Sequence, residues 1–173
     1  MDKLIEYQIP HKGLSIGQHD YNFHVDDKFF VNKQVDTING GNLEVHFVLD
    51  KQSRLMQADI NIIGTISLIC DRCLDNFDYE ININHNQIFK FGISSDIHND
   101  DIIYLEEDNH FIDASELIME NILLQIPIKK VHPDDEDGNS TCKTEQLNLI
   151  DDYAKREQTD SRWDVLKNIK FDD

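Results

Sequence analysis

Between Met56 and Cys70 the apolar residues keep one parity: Met56, Ala58, Ile60, Ile62, Ile66, Leu68 and Cys70, with Gly64 in step. Alternation with period two over that length demands extended chain with one buried face, because a helix would spread those positions around its circumference. The turn CDRCLDN follows, and then Phe77, Tyr79, Ile81 and Ile83 alternate again. Two long antiparallel strands joined at a cysteine-bearing turn are therefore expected. Gly64, having no side chain to pack, is expected to mark a bulge or bend. Upstream, Leu43, Val45, Phe47 and Leu49 alternate before a turn at DKQSR, adding a third strand.

The flanking segments read less sharply. KLIEYQI suits a short strand ended by Pro10, HKGLSIGQHD a turn-rich connection, and YNFHV another strand. DDKFFVNKQV fits a short helix or a strand, and Gly40 with Gly41 suggests a turn. QIFKFGI extends the second long strand, SSDIHNDD is an acidic loop, and IIYL is a further strand. FIDASELIMENILLQIP has the marks of a buried helix: Asp113 and Glu116 at capping-box spacing, a wide apolar arc, and Pro127 to close it. DDED followed by GNS is a loop. In the tail, Asp160 can cap a last helix with Trp163, Leu166 and Ile169 on one face, where Trp163 serves as a packing anchor. The expected fold is α+β: a mainly antiparallel sheet with a long central hairpin, one buried helix after it and a helical C-terminal tail. Residues 1–143 form one domain, and 144–173 a partly mobile tail with few apolar partners.

Charge narrows the function. The 173 residues carry a net charge of −18, and it is uneven. Residues 1–90 hold 8 basic against 13 acidic side chains, and residues 91–173 hold 8 against 21. A field of that sign opposes broad contact with nucleic acid, whose affinity comes mostly from phosphate neutralisation, and draws in basic proteins. Lys129, Lys130, Lys155, Arg156, Arg162, Lys167 and Lys170 remain as a source of a local basic patch. The N-terminus has charges at Asp2, Lys3 and Glu6 and lacks the apolar core of a secretory signal, and no run is long enough to span a bilayer. A cytoplasmic protein without a membrane partner is expected, and three cysteines in a reducing compartment argue against a disulfide framework.

The cysteines carry what chemistry the chain offers. Two thiolates spaced by two residues on a tight turn supply half of a tetrahedral zinc site. Cys142 is the remaining cysteine, and His132 lies ten positions before it, so Cys70, Cys73, His132 and Cys142 would complete a Cys₃His set. The gap between His132 and Cys142 exceeds the usual spacing of a second zinc pair, which leaves its closure less tightly set. Arg72, between the thiols, can lower their pKa and offset the charge of a thiolate-rich site. A thiol–disulfide oxidoreductase is the rival, yet such pairs open a helix whose dipole stabilises the attacking thiolate, and here a strand follows. Phosphate loop, HExxH and GxSxG motifs are absent, the eight histidines are scattered singly, and His46 and His85 fall in strand patterns facing solvent or a polar neighbour. No reaction is implied, and an acidic protein-interaction module is a further rival.

Three stretches, GTISLICDRCLDNFDYEI, FIDASELIMENILLQIPIKKVH and DSRWDVLKNI, together resemble the YceD family of large ribosomal RNA subunit accumulation proteins. YQIPHKGLSIGQHDYNFHVDDKFF is similar to the Bacteroidetes-type branch. The resemblance implies a noncatalytic bacterial factor for 23S ribosomal RNA accumulation and large-subunit biogenesis. Its partner would be a large-subunit ribosomal protein or a pre-ribosomal particle. Cys70 and Cys73 match the family's CxRC turn, and His132 and Cys142 fall where relatives carry His or Cys after the helix. Two positions depart: many relatives have more than one cysteine after the helix, and Ser161 stands where the tail motif has Pro.

Overall fold

In the computed structural model, residues 4–92, 102–106 and 108–155 are described. A 3₁₀ turn (Ile5–Tyr7) leads into β1 (Gln8–Pro10), followed by β2 (Gly17–Val25), α1 (Asp27–Lys33), β3 (Ile38–Lys51), β4 (Leu55–Ile69) and β5 (Asn76–Phe91). Then come β6 (Ile102–Leu105), β7 (Phe111–Asp113), α2 (Ala114–Gln125) and α3 (Thr144–Lys155). Five strands form one sheet in the order β2-β3-β4-β5-β6, and β1 pairs with β7 as a small separate ribbon. All pairings are antiparallel except β5 with β6, which run parallel. The α+β class expected from the sequence is the one observed.

The parity of the long strands decides which face is dry. Val45, Phe47 and Leu49 on β3 oppose Ile62, Ile60 and Ala58 on β4, Leu43 and Met56 extend the same buried layer, and Ile81 and Ile83 continue it on β5. Helix α1 covers β3 with Phe29 and Phe30, and α2 covers β5 and β1 with Leu117, Ile118 and Ile122. Tyr7 and Ile9 fill the space beside them. The opposite face is polar, with His46 within 3.4 Å of Asp20 and His24 within 2.9 Å of Glu44. His85 lies partly buried, 3.3 Å from Gln87, so both strand histidines find the surroundings expected of them.

Several local expectations are corrected. Gly40 and Gly41 make no turn but lie inside β3, where the register shifts by one residue after Ile38. They are small because α1 presses on them: a Cβ at Gly41 would lie 3.0 Å from the Phe30 ring, and the Gly41 N–H donates to Asp27 Oδ1 at 2.9 Å. Gly64 interrupts nothing, since pairing runs through it to Leu43 and Ile81; its hydrogen lets the β3 backbone approach, where a Cβ would meet the Asn42 carbonyl oxygen. The segment expected as one strand ended by Pro10 is instead a short helical turn at Ile5–Tyr7 followed by a three-residue strand, Gln8–Pro10. DDKFFVNK resolves as helix because the Asp26 carboxylate accepts from the Lys28 and Phe29 N–H groups. Asp113 caps α2 through the Ser115 N–H, but Glu116 does not complete the box; it accepts from Lys33 Nζ at 2.7 Å instead. The acidic loop at 94–101 and the tail helix with Trp163, Leu166 and Ile169 lie outside the described residues.

Candidate metal centre

The β4–β5 hairpin ends in the turn that carries Cys70 and Cys73. Its geometry is set by backbone: the Cys70 N–H donates to the Asp75 carbonyl and the Leu74 N–H to the Cys70 carbonyl, both at 2.9 Å. Leu74 takes a left-handed conformation (φ 60) to close the turn. The Arg72 N–H points at Cys70 Sγ from 3.4 Å. Two extended segments, β4 and β5, flank the pair, as the sequence implies.

Asp71 brings the second half of the cluster to the first. Its N–H donates to the Lys130 carbonyl and its carboxylate accepts from the Lys130 N–H, each at 2.7 Å. That reciprocal clamp fixes the chain leaving α2 beside the turn, and His132 follows two residues on with its ring 5.1 Å from that of Phe77. The ten-residue gap to Cys142 is closed by its own hydrogen bonds rather than left loose. Asp134 and Ser140 form an antiparallel bridge, and the Asp135 carboxylate accepts from the Asp137 and Asn139 N–H groups. Thr141 Oγ1 donates to the Pro133 carbonyl at 2.7 Å. Asp135 and Gly138, a turn signal within the DDEDGNS stretch, are what could have made this closure legible.

The result is compact. One ligand atom from each of Cys70, Cys73, His132 and Cys142 lies within 4.8 Å of all the others. Cys70 and Cys142 sulfurs are 3.7 Å apart, and His132 Nδ1 stands 3.5 Å from Cys73 Sγ and 3.7 Å from Cys142 Sγ. Sulfurs at about 2.3 Å and a nitrogen at about 2.05 Å from one tetrahedral centre give S–S edges of about 3.8 Å and S–N edges of about 3.5 Å. The donor set therefore fits a closed four-coordinate metal with a movement of at most about 1 Å on its widest edge. The sulfurs are free thiols, and 3.7 Å is well beyond the roughly 2.05 Å of a disulfide.

Electrostatics favour a cation there. Burial pushes the Cys70 thiol up, but the Cys73 and Arg72 N–H groups and His132 outweigh it and bring the thiol from 9.0 down to about 6. At Cys142 the Ser140 hydroxyl pulls downward, yet burial and the neighbouring sulfurs prevail and hold the thiol above its ordinary value. One thiolate forms readily and a second is resisted, which is the balance a bound dication would tip by replacing the protons. The Arg72 side chain acts differently from expectation: its guanidinium donates to Ser140 Oγ at 2.9 Å, tying the turn to the loop, and its influence on Cys70 comes from the backbone.

Comparison with known proteins decides the family. A family model described as large ribosomal RNA subunit accumulation protein YceD matches residues 58–170, which include all four cluster residues. The chain belongs to the YceD family. A YceD-family chain is thus what the CDRC turn and the segment after α2 indicated. It is 31% identical over 126 residues to a Bacillus subtilis (strain 168) protein described as "Uncharacterized protein YlbN", covering 72% of each chain. No solved structure matches it. Among the described residues, no helix is long and apolar enough to cross a membrane.

Proposed function

We propose that the protein is a noncatalytic factor supporting 23S ribosomal RNA accumulation and large-subunit biogenesis. It acts by binding a large-subunit ribosomal protein or a pre-ribosomal particle in the cytoplasm. The family's description supplies the process. The mechanical part rests on one observation, the convergence of Cys70, Cys73, His132 and Cys142 from three separate stretches of chain. In this reading a structural Zn²⁺ held by these four residues pins the hairpin tip to the segment after α2 and fixes the adjoining surface for docking. On the same reading, residues 1–143 form one domain and 144–173 a tail, whose described part is the helix Thr144–Lys155.

The metal arm of the reading is tested by elemental analysis of protein purified without added zinc. About one zinc per chain is expected in the parent, with loss in Cys73→Ser; a metal-free parent refutes the zinc. The biological arm is tested by deleting the gene and resolving ribosomes on sucrose gradients. A fall in large subunits and in the 23S to 16S ratio is expected, and unchanged values refute the assembly role.

A further inference from the structure

A groove of about 540 Å³ lies between α2, the β1–β7 ribbon and the end of the sheet at β5 and β6. Its floor is apolar: Phe89, Leu105, Ile112 and Leu117 all line it while being buried in the core. Phe111, 47% exposed, stands at its edge as a large hydrophobic side chain that the fold leaves in water. The volume falls within the roughly 300–1,000 Å³ typical of ligand sites. Three carboxylates rim it, from Asp113, Glu116 and Glu120. Asp113 is engaged at the α2 cap and Glu116 meets Lys33, so Glu120 carries the rim's outward charge. The site lies in the half of the chain that holds 21 acidic against 8 basic residues.

We propose that this groove docks a basic segment of a partner protein, one that places one or two large apolar side chains on the floor and Lys or Arg against the carboxylate rim. Phe111 and the partly buried Ile103 supply the apolar surface that a partner would remove from water, and the buried floor supplies the shape it packs against. The rim and the chain's field supply attraction and selectivity. A nucleic acid is the wrong occupant, because its phosphates would face Glu120 and the other acids with no cluster of cations among the described residues that line the groove. This rests on the partner-binding reading above and adds to the surface beside the metal centre a second point of contact, lined by none of the four cluster residues.

The test uses the full chain as bait for a phage-displayed library of random dodecapeptides. Selected sequences are expected to combine Lys or Arg with large apolar residues. Their synthetic versions should bind at least about tenfold more weakly to the double variant Phe111→Ala, Glu120→Lys. Both side chains are exposed, and thermal melts of the variant confirm that it folds. Selected peptides that bind parent and double variant equally, an acidic consensus, or competition by a short oligouridylate overturns the proposal. Complementation separates the two readings. Normal 23S ribosomal RNA with the double variant, together with lost peptide binding, keeps the groove and removes its role in assembly. Lowered 23S on gene deletion, with peptide binding indifferent to the double variant, does the reverse.

Discussion

Asp71 is the residue on which the assembly of the metal centre turns. Its carboxylate accepts from the Lys130 N–H at 2.7 Å, and Lys130 Nζ approaches the other carboxylate oxygen to 3.7 Å with both side chains partly exposed. A hydrogen bond to a charged group contributes about 1.5–3 kcal/mol, and partial exposure places this one at the lower end. The ion pair adds no more than about 0.5 kcal/mol at that distance and exposure. Asp71→Ala should therefore cost about 2 kcal/mol in urea unfolding followed by fluorescence, with an unchanged m-value. Asp71→Asn keeps an oxygen facing the Lys130 N–H and should cost under about 1 kcal/mol. Because the Asp71 N–H still donates to the Lys130 carbonyl in both variants, the difference between them isolates the side chain. Equal losses in the two, or a loss below about 0.5 kcal/mol in Asp71→Ala, would refute the clamp.

Gly64→Ala should destabilise by at least about 3 kcal/mol, because its Cβ would lie 2.2 Å from the Asn42 carbonyl oxygen and 2.8 Å from Leu43 Cα at a φ of +150. Gly13→Ala, at φ +88 with nothing within 4 Å, should cost only about 1 kcal/mol in the same urea series, and similar losses at both sites would count against close strand approach. His11 is buried with neither ring nitrogen hydrogen-bonded; burial lowers its pKa, the Asn109 carbonyl opposes that in part, and the charges of Lys51, Lys12 and His110 add to the lowering. The unfolded chain thus takes the proton first, so stability held above pH 6.5 should fall as the pH drops below it, and urea midpoints for His11→Leu should lose part of that acid sensitivity. Tyr7 donates to the His24 carbonyl at 2.7 Å, and burial, with the charges of Glu6 and Asp26, raises its phenol from 10.0 to about 12. Its contribution, on the order of 2 kcal/mol, is complete below pH 10 and should vanish as the pH climbs toward 12, a loss that alkaline melts of Tyr7→Phe should show diminished.

What was legible followed from periodicity and from scarcity. The parity of Met56 to Cys70 and of Phe77 to Ile83 fixed the hairpin, since a slip by one residue would turn every apolar side chain to water. Cys142 could be placed at the CDRC turn because the chain has few thiols, and a thiol is rarely left exposed without reason. Strand direction was not legible: IIYL has the same pattern whether it runs parallel or antiparallel to β5, and only the connection decides. Gly40 and Gly41 misled because glycine serves both turns and close packing, and the Phe30 ring that demands them comes from a segment whose own pattern fitted helix or strand. Glu116 likewise sat at capping distance, but the partner that claims it, Lys33, lies 83 residues away in sequence.

Strand β5 touches both ends of the molecule: Phe77 packs beside His132, and Phe89 lies on the groove floor. Twelve residues of extended chain separate them, at most about 40 Å. Paired with β4 from Asn76 to Lys90, this strand works as a stiff spacer, so whatever is gripped at one extremity is held at a set reach from the other.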